Sequence, residues 1–458
     1  MGRTERIGRP RPGVEQAAAM PRAGRKAAGL ALLVAFLAAA TLAAGAEIPL
    51  AVAVPPAVAA PPAAAAPPPA GRSPAAGVGP ASGQEPAAAV WEGDTAIAGR
   101  ENWQKPWLPD LRNPGRRIEV PEAGRIDVVL LGDGYLAEER DAFAGDVRSW
   151  YVEFLKLTPW KQLCGVFRVR GIWTPSLGRG PSAEGTYYRV PYAAQGLTEV
   201  QSAETRRALY GAMGRIGINE ARLSGHLTHT VVVMLVRTGP GPLRSPSGCT
   251  RTLASPDGKT TVRVAFGAYS HHEFGHAFAG LGDEYINIAK PSASRTTPPR
   301  PSIFTISNLC YTKDPLLVPW RHLAPGGPLN PDPGSVIGVL WVGGVREEGA
   351  WHSEARCLMN GRHDNWDLQK TRRGASLRDP QRVCFWCEEI AVARTWLKTG
   401  QLGNAAGGEE LWEKWVREVR PLYQKAFDVA ARIKGQNEAN ARERLAEAKI
   451  YERPAPPP

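Results

Sequence analysis

The chain has 458 residues and carries 56 Lys and Arg against 44 Asp and Glu, a formal charge of +12. Its 43% hydrophobic and 22% charged content suits a globular protein of one large domain or two ordinary ones. Seven basic and two acidic side chains fall in the first 46 residues, so the remainder is only mildly basic. No Lys/Arg run with interleaved aromatics occurs, and no nucleic-acid partner is expected.

Arg22, Arg25 and Lys26 precede an apolar run from Ala27 to Ala44, and Ala44-Gly45-Ala46 supplies the small-x-small pattern of a signal-peptidase site. Residues 1–46 therefore read as an export signal cleaved before Glu47, for a secreted, periplasmic or cell-surface protein. The run is also close to bilayer-spanning length, so an uncleaved anchor attaching the protein to a membrane is the alternative. Residues 47–90 are almost entirely Ala, Pro, Val and Gly; such a segment cannot offset the cost of ordering and favours extended polyproline geometry. It reads as a disordered spacer, or as a tail without function. Aromatic residues begin at Trp91, so a domain is expected from 91 to 400, with a helical extension from 401 to 458.

Ile126-Asp-Val-Val-Leu-Leu131, ending in Gly132-Asp-Gly134, predicts a buried strand and a turn. Helical spacing predicts a helix over Glu138–Leu157, and Val166–Trp173 is a second strand candidate. A further helix is expected near Ala203–Gly217. Thr230–Val236 is a continuous apolar run that suits a strand buried on both faces. Val262–Tyr269 alternates, as a half-exposed edge strand would. Interleaved strands and helices predict an α/β or α+β fold with a mixed sheet. Trp412, Trp415, Val419, Tyr423, Phe427 and Ile433 predict one or two amphipathic helices packed on the main domain.

His272-Glu-Phe-Gly-His276 matches H-E-x-x-H. Residues i and i+4 lie on one helical face a turn apart, so two imidazoles can reach one metal ion, taken as Zn²⁺. Glu273 sits on the flank, placed to act as general base on a water rather than as a ligand. A catalytic zinc needs a third protein ligand and an open position. Asp283 follows His272 by eleven residues, about 16 Å along an unbroken helix and too far to coordinate. Gly280 and Gly282 can reverse the chain and return Asp283 to the metal, with Glu284 as its rival. Tyr285 could hydrogen-bond a ligand or an oxyanion, or simply pack. His271 points about 100° off the ligand face and is read as supporting or surface.

Several stretches together resemble the bacterial IgA-peptidase-type zinc metallopeptidases: Ile126–Tyr135, His272–Tyr285, Glu348–Ala350, Arg356-Cys-Leu-Met-Asn360 and Cys384-Phe-Trp-Cys387. The resemblance implies a zincin-type domain with an active-site helix and a smaller C-terminal subdomain. It implies an endopeptidase acting on a protein or peptide substrate, with His272 and His276 as ligands and Glu273 as base. It does not imply IgA as substrate. The likeness to metzincins is looser: Gly280 and Asp283 stand four and seven residues after His276, each one later than in that pattern. Met359 would then form the methionine turn beneath the metal, or else Leu358-Met359 is a buried apolar pair.

Six cysteines in an exported chain make disulfides the default, with Cys357 joined to Cys384 or Cys387 one candidate. Two rival functions arise. His271-His-Glu273 with Cys384-x-x-Cys387 superficially matches a zinc deaminase, although Val383 replaces the expected proline. The other rival is a non-enzymatic exported binding or adhesion module holding zinc.

Overall fold

β-branched runs and alternating periodicities in this sequence resolve into a mixed sheet faced by helices. The computed structural model describes residues 90–92 and 105–448, apart from 180–184, 191, 194–195, 198–201, 224–228, 240–247, 268–269, 286–300, 315, 346–348, 355, 361–376, 379–381 and 404–406. The chain divides into units Met1–Ala81 and Ser82–Pro458. The signal and most of the spacer lie outside the described residues, as does Glu348 of the resemblance. Among the described residues, no helix is long and apolar enough to cross a membrane.

Six strands form the main sheet: β1 (Val90–Glu92), β2 (Ile126–Asp133), β3 (Phe167–Ile172), β4 (Thr230–Val236), β5 (Cys249–Ala254) and β6 (Thr261–Phe266). Their order is β1-β3-β2-β4-β6-β5. The four central strands are parallel, and the two outer strands are antiparallel to their neighbours. β2 and β4 are buried along their whole length. Val128, Leu130, Val231 and Val233 enter one apolar core, while Val129, Leu131, Val232 and Met234 enter a second on the opposite face. Uninterrupted apolar runs are what burial on both faces requires.

The expectation for Val262–Tyr269 is corrected in one respect. Thr261–Phe266 is a strand, but an inner one, covered by the antiparallel strand Cys249–Ala254. Alternation arises there because its outward residues are Thr261 and Arg263, whereas Val262, Val264 and Phe266 fill the second core. The edge strand itself, Cys-Thr-Arg-Thr-Leu-Ala, has too little apolar periodicity to be read from sequence.

Helices α1 (Arg140–Phe154) and α2 (Ala203–Arg215) form close to the expected limits. Two further helices matter to the site: α3 (Ser270–Ala279), which follows β6, and α4 (Phe385–Lys398). The C-terminal helices, including α5 (Gly408–Lys414) and α6 (Val429–Ala448), pack on the main core. Leu411, Trp412, Trp415, Tyr423, Phe427 and Ile433 all join the core that holds α3 and α4.

Candidate metal centre

Helix α3 is amphipathic in an unusual sense, with an aromatic face and an imidazole face. Phe274 and Phe278, one turn apart, stack with ring centroids 5.4 Å apart and pack edge-on against Trp160 and Phe167. That face fixes the rotation of the helix. His272 and His276 project on the other side, rings 4.7 Å apart and nearly perpendicular. Gly275 lies between them in sequence, and a side chain there would meet the Met359 sulfur at 2.8 Å, so the buried Met359 packs directly on the helix.

The helix ends at Gly280, whose φ of +69° is the left-handed conformation that glycine adopts without cost. Gly282 plays a different part from the one expected. Its φ is not positive, and an added Cβ would lie 2.7 Å from a terminal methyl of Leu309, which would have to shift. Asn308 then clamps the returning segment, accepting from the Gly282 amide at 2.6 Å and donating to the Gly282 carbonyl at 2.9 Å. Arg263, reaching over from β6, donates to the carbonyls of His276 and Ala277 at the negative end of the helix dipole.

The result brings three of the expected residues to one point. His272 Nε2, His276 Nε2 and Asp283 Oδ1 stand 2.9, 3.0 and 3.1 Å from one another. The remaining ring nitrogens are committed: His272 Nδ1 donates to the Leu358 carbonyl at 2.8 Å, and His276 Nδ1 to the Leu281 carbonyl at 2.5 Å. With both Nδ1 atoms donating, neutral rings turn their Nε2 lone pairs toward a carboxylate oxygen, an arrangement relieved by a shared proton or by a metal ion between them. In a tetrahedral site with zinc at about 2.0–2.1 Å, ligand atoms are roughly 3.3 Å apart. The donor set thus fits a divalent ion of zinc's size. His272 is buried, while His276 and Asp283 remain partly exposed, so the centre opens toward solvent on their side.

Electrostatics express the same convergence when only protons are shared. Burial opposes a charge on His276, but hydrogen bonding to Asp283 and its charge outweigh burial and raise the imidazole to about 9. Burial also opposes the Asp283 charge, but the two histidines outweigh it and hold the carboxyl well below its ordinary range. Glu273 is buried beside the cluster, and that burial raises its carboxyl above the usual value. Its side chain accepts from Thr250 Oγ1 at 3.0 Å, at the start of edge strand β5. Gly248 leaves the room it occupies, because a Cβ there would meet the carboxylate at 2.6 Å.

The other candidates separate cleanly. Glu284, the rival ligand, points away from this centre into a buried cluster with Cys357, Cys384 and Cys387. Tyr285 hydrogen-bonds Asp283; burial and then that carboxylate raise its phenol above the ordinary range. His271 stacks on Trp150 at 4.8 Å, with Nε2 2.8 Å from the Trp150 carbonyl. It belongs to neither metal-competent cluster, so the deaminase combination of His271 with Cys384 and Cys387 is not assembled. The expected disulfides are likewise not formed: all six cysteines are free, and Cys357 and Cys387 Sγ lie 3.9 Å apart, beyond the ~2.05 Å of a bond. Asn308, Thr250 and the Leu358 carbonyl were not anticipated. Each acts from a distant segment through a polar contact that leaves no local sequence pattern.

Compared with known proteins, the chain matches no protein-family model and no curated protein.

Proposed function

We propose that this chain is an exported, zinc-dependent endopeptidase of zincin type, with His272, His276 and Asp283 as metal ligands and Glu273 as general base. One observation carries the reading: two imidazole nitrogens and a carboxylate oxygen converge within 3.1 Å of each other, beside a buried glutamate and open to solvent. The residues fit the ion, and when bound zinc supplies a Lewis acid that polarises a carbonyl and lowers the pKa of water toward neutrality.

The chain's own groups do the rest. The Leu358 and Leu281 carbonyls hold both histidines in the tautomer with Nε2 unprotonated. Thr250 orients the Glu273 carboxylate, which takes a proton from the attacking water and later delivers it to the leaving amine. Burial favours this shuttle, because a carboxyl raised above its ordinary value holds a proton more readily. Strand β5 lies at the sheet edge, where an extended peptide can add as a further strand. Its Thr250 end touches Glu273, so a peptide laid along that edge would pass the base. The mixed sheet, the following helix and Met359 beneath it agree with the zincin and methionine-turn readings.

Glu273→Gln keeps the shape of the site and removes the base. Cleavage of azocasein or a peptide library is expected to fall about 10²–10⁴-fold while zinc content is unchanged. Undiminished cleavage by the variant would refute the assignment, and a zinc-loaded wild-type chain that cleaves no peptide would favour a binding module.

A further inference from the structure

We propose that Cys357, Cys384, Cys387 and Glu284 form a second, closed zinc site that anchors the floor of the open one. Each of the four offers one ligand atom, all four atoms lie within 4.8 Å of one another, and all four residues are buried. Cys357 and Cys387 Sγ are 3.9 Å apart, and Glu284 Oε1 is 3.1 Å from Cys387 Sγ and 3.7 Å from Cys384 Sγ. Around a tetrahedral zinc with Zn–S near 2.3 Å and Zn–O near 2.0 Å, the corresponding separations are about 3.8 Å and 3.5 Å.

Backbone donors are placed to support thiolates once an ion is bound. The amides of Met359 and Cys384 both donate to Cys357 Sγ at 3.4 Å, and the Cys387 amide donates to Cys384 Sγ at 3.5 Å. Cys384 caps the 14-residue helix α4, whose positive end faces the cluster. Glu284 is fully buried, and its Oε2 has no hydrogen-bond partner; the buried His352 ring, with Nδ1 3.8 Å away, is in ion-pair range but beyond hydrogen-bond distance. A carboxylate in that state is costly without a cation. Three thiolates and a carboxylate on a tetrahedron suit zinc, and a site with no exposed ligand is structural rather than catalytic.

The two sites share a frame. Asp283 and Glu284 are consecutive, and each turns to a different cluster. Cys357 is followed by Leu358, whose carbonyl holds His272, and by Met359, whose carbonyl accepts from the Glu284 amide at 2.9 Å. Fixing Cys357 to α4 therefore fixes the turn whose Leu358 carbonyl holds His272.

The test is metal content of the full chain, which does not depend on whether the chain cleaves peptides. Two zinc ions per chain are expected in the wild type, and one in His272→Ala/His276→Ala. Cobalt loaded into that double variant should give a thiolate-to-cobalt charge-transfer band, absent after Cys384→Ser/Cys387→Ser is added. No zinc in the histidine variant, or a peptide map joining Cys357 to Cys384 or Cys387 by a disulfide, would each overturn the proposal; one zinc in both the wild type and the histidine variant would leave it standing and count against the histidine centre. An inactive chain holding two zinc ions would leave it standing while sinking the peptidase reading.

Discussion

Asn308 does more for the open centre than its place in the sequence suggests. It binds both polar groups of Gly282 and the Glu284 carboxylate, so one amide sets the turn that separates Asp283 from Glu284. Removing a buried group that satisfies several partners costs about 1–3 kcal/mol, and loss of such supporting contacts typically weakens a metal site 10–100-fold. Asn308→Ala is therefore expected to lower thermal stability modestly and zinc affinity at the histidine centre by roughly that factor, read by competition with a chromophoric chelator. Unchanged affinity would mean the turn holds without the clamp. Gly280→Ala should act similarly through its φ of +69°, at roughly 1 kcal/mol.

The sequence disclosed His272, Glu273 and His276 because helical periodicity is local, and Asp283 because Gly280 signals a reversal. The partners of Asp283 and Glu284 were hidden. Which of two adjacent carboxylates meets the histidines is decided by Asn308 and by Cys357, Cys384 and Cys387, all remote in the chain.

At the scale of elements, the aromatic face of α3 sets the orientation of the histidines. Phe278 lies against Trp160, Phe167 and Phe274 and is almost wholly buried. Phe278→Ala should destabilise the fold by about 3–5 kcal/mol, measured by denaturant midpoint. A loss below about 1 kcal/mol would show that the aromatic cluster collapses around the gap and does not fix the helix. The strands and the long helices were legible because their apolar runs are long. Edge strand β5 was not, because its pairing with β6 comes from the sheet and not from its own residues.

Across the whole molecule, buried carboxylates tie the C-terminal helices to α4. Glu389 accepts from Arg420 at 2.6 Å, Trp415 Nε1 at 3.1 Å and His322 at 2.7 Å. Glu388 pairs with Arg432 at 2.6 Å and accepts from Tyr423 at 2.9 Å. Burial opposes the Glu389 charge, but Arg420 and then His322 outweigh it and hold the carboxyl at about 2, against 4.5 unperturbed. The unfolded chain thus takes up this proton at higher pH than the folded chain. The stabilisation is complete above about 4.5 and is lost as pH falls toward about 2. Glu389→Gln should cost stability at neutral pH, by up to about 3 kcal/mol from this shift, and the gap to the wild type should close in acid. A gap independent of pH would remove the charge from the explanation. The sequence read these helices as packed on the domain, which their buried Trp412, Trp415 and Tyr423 bear out. The acidic pair that binds them lies within α4, where Glu-Glu looks like an ordinary solvated step.

The most direct test of the central claim follows peptide cleavage while zinc is returned to chelator-stripped full chain. Cleavage should be absent from the stripped protein and should reappear in step with zinc bound at His272, His276 and Asp283. Cleavage that persists without metal, or that stays absent once this centre is filled, would contradict the account.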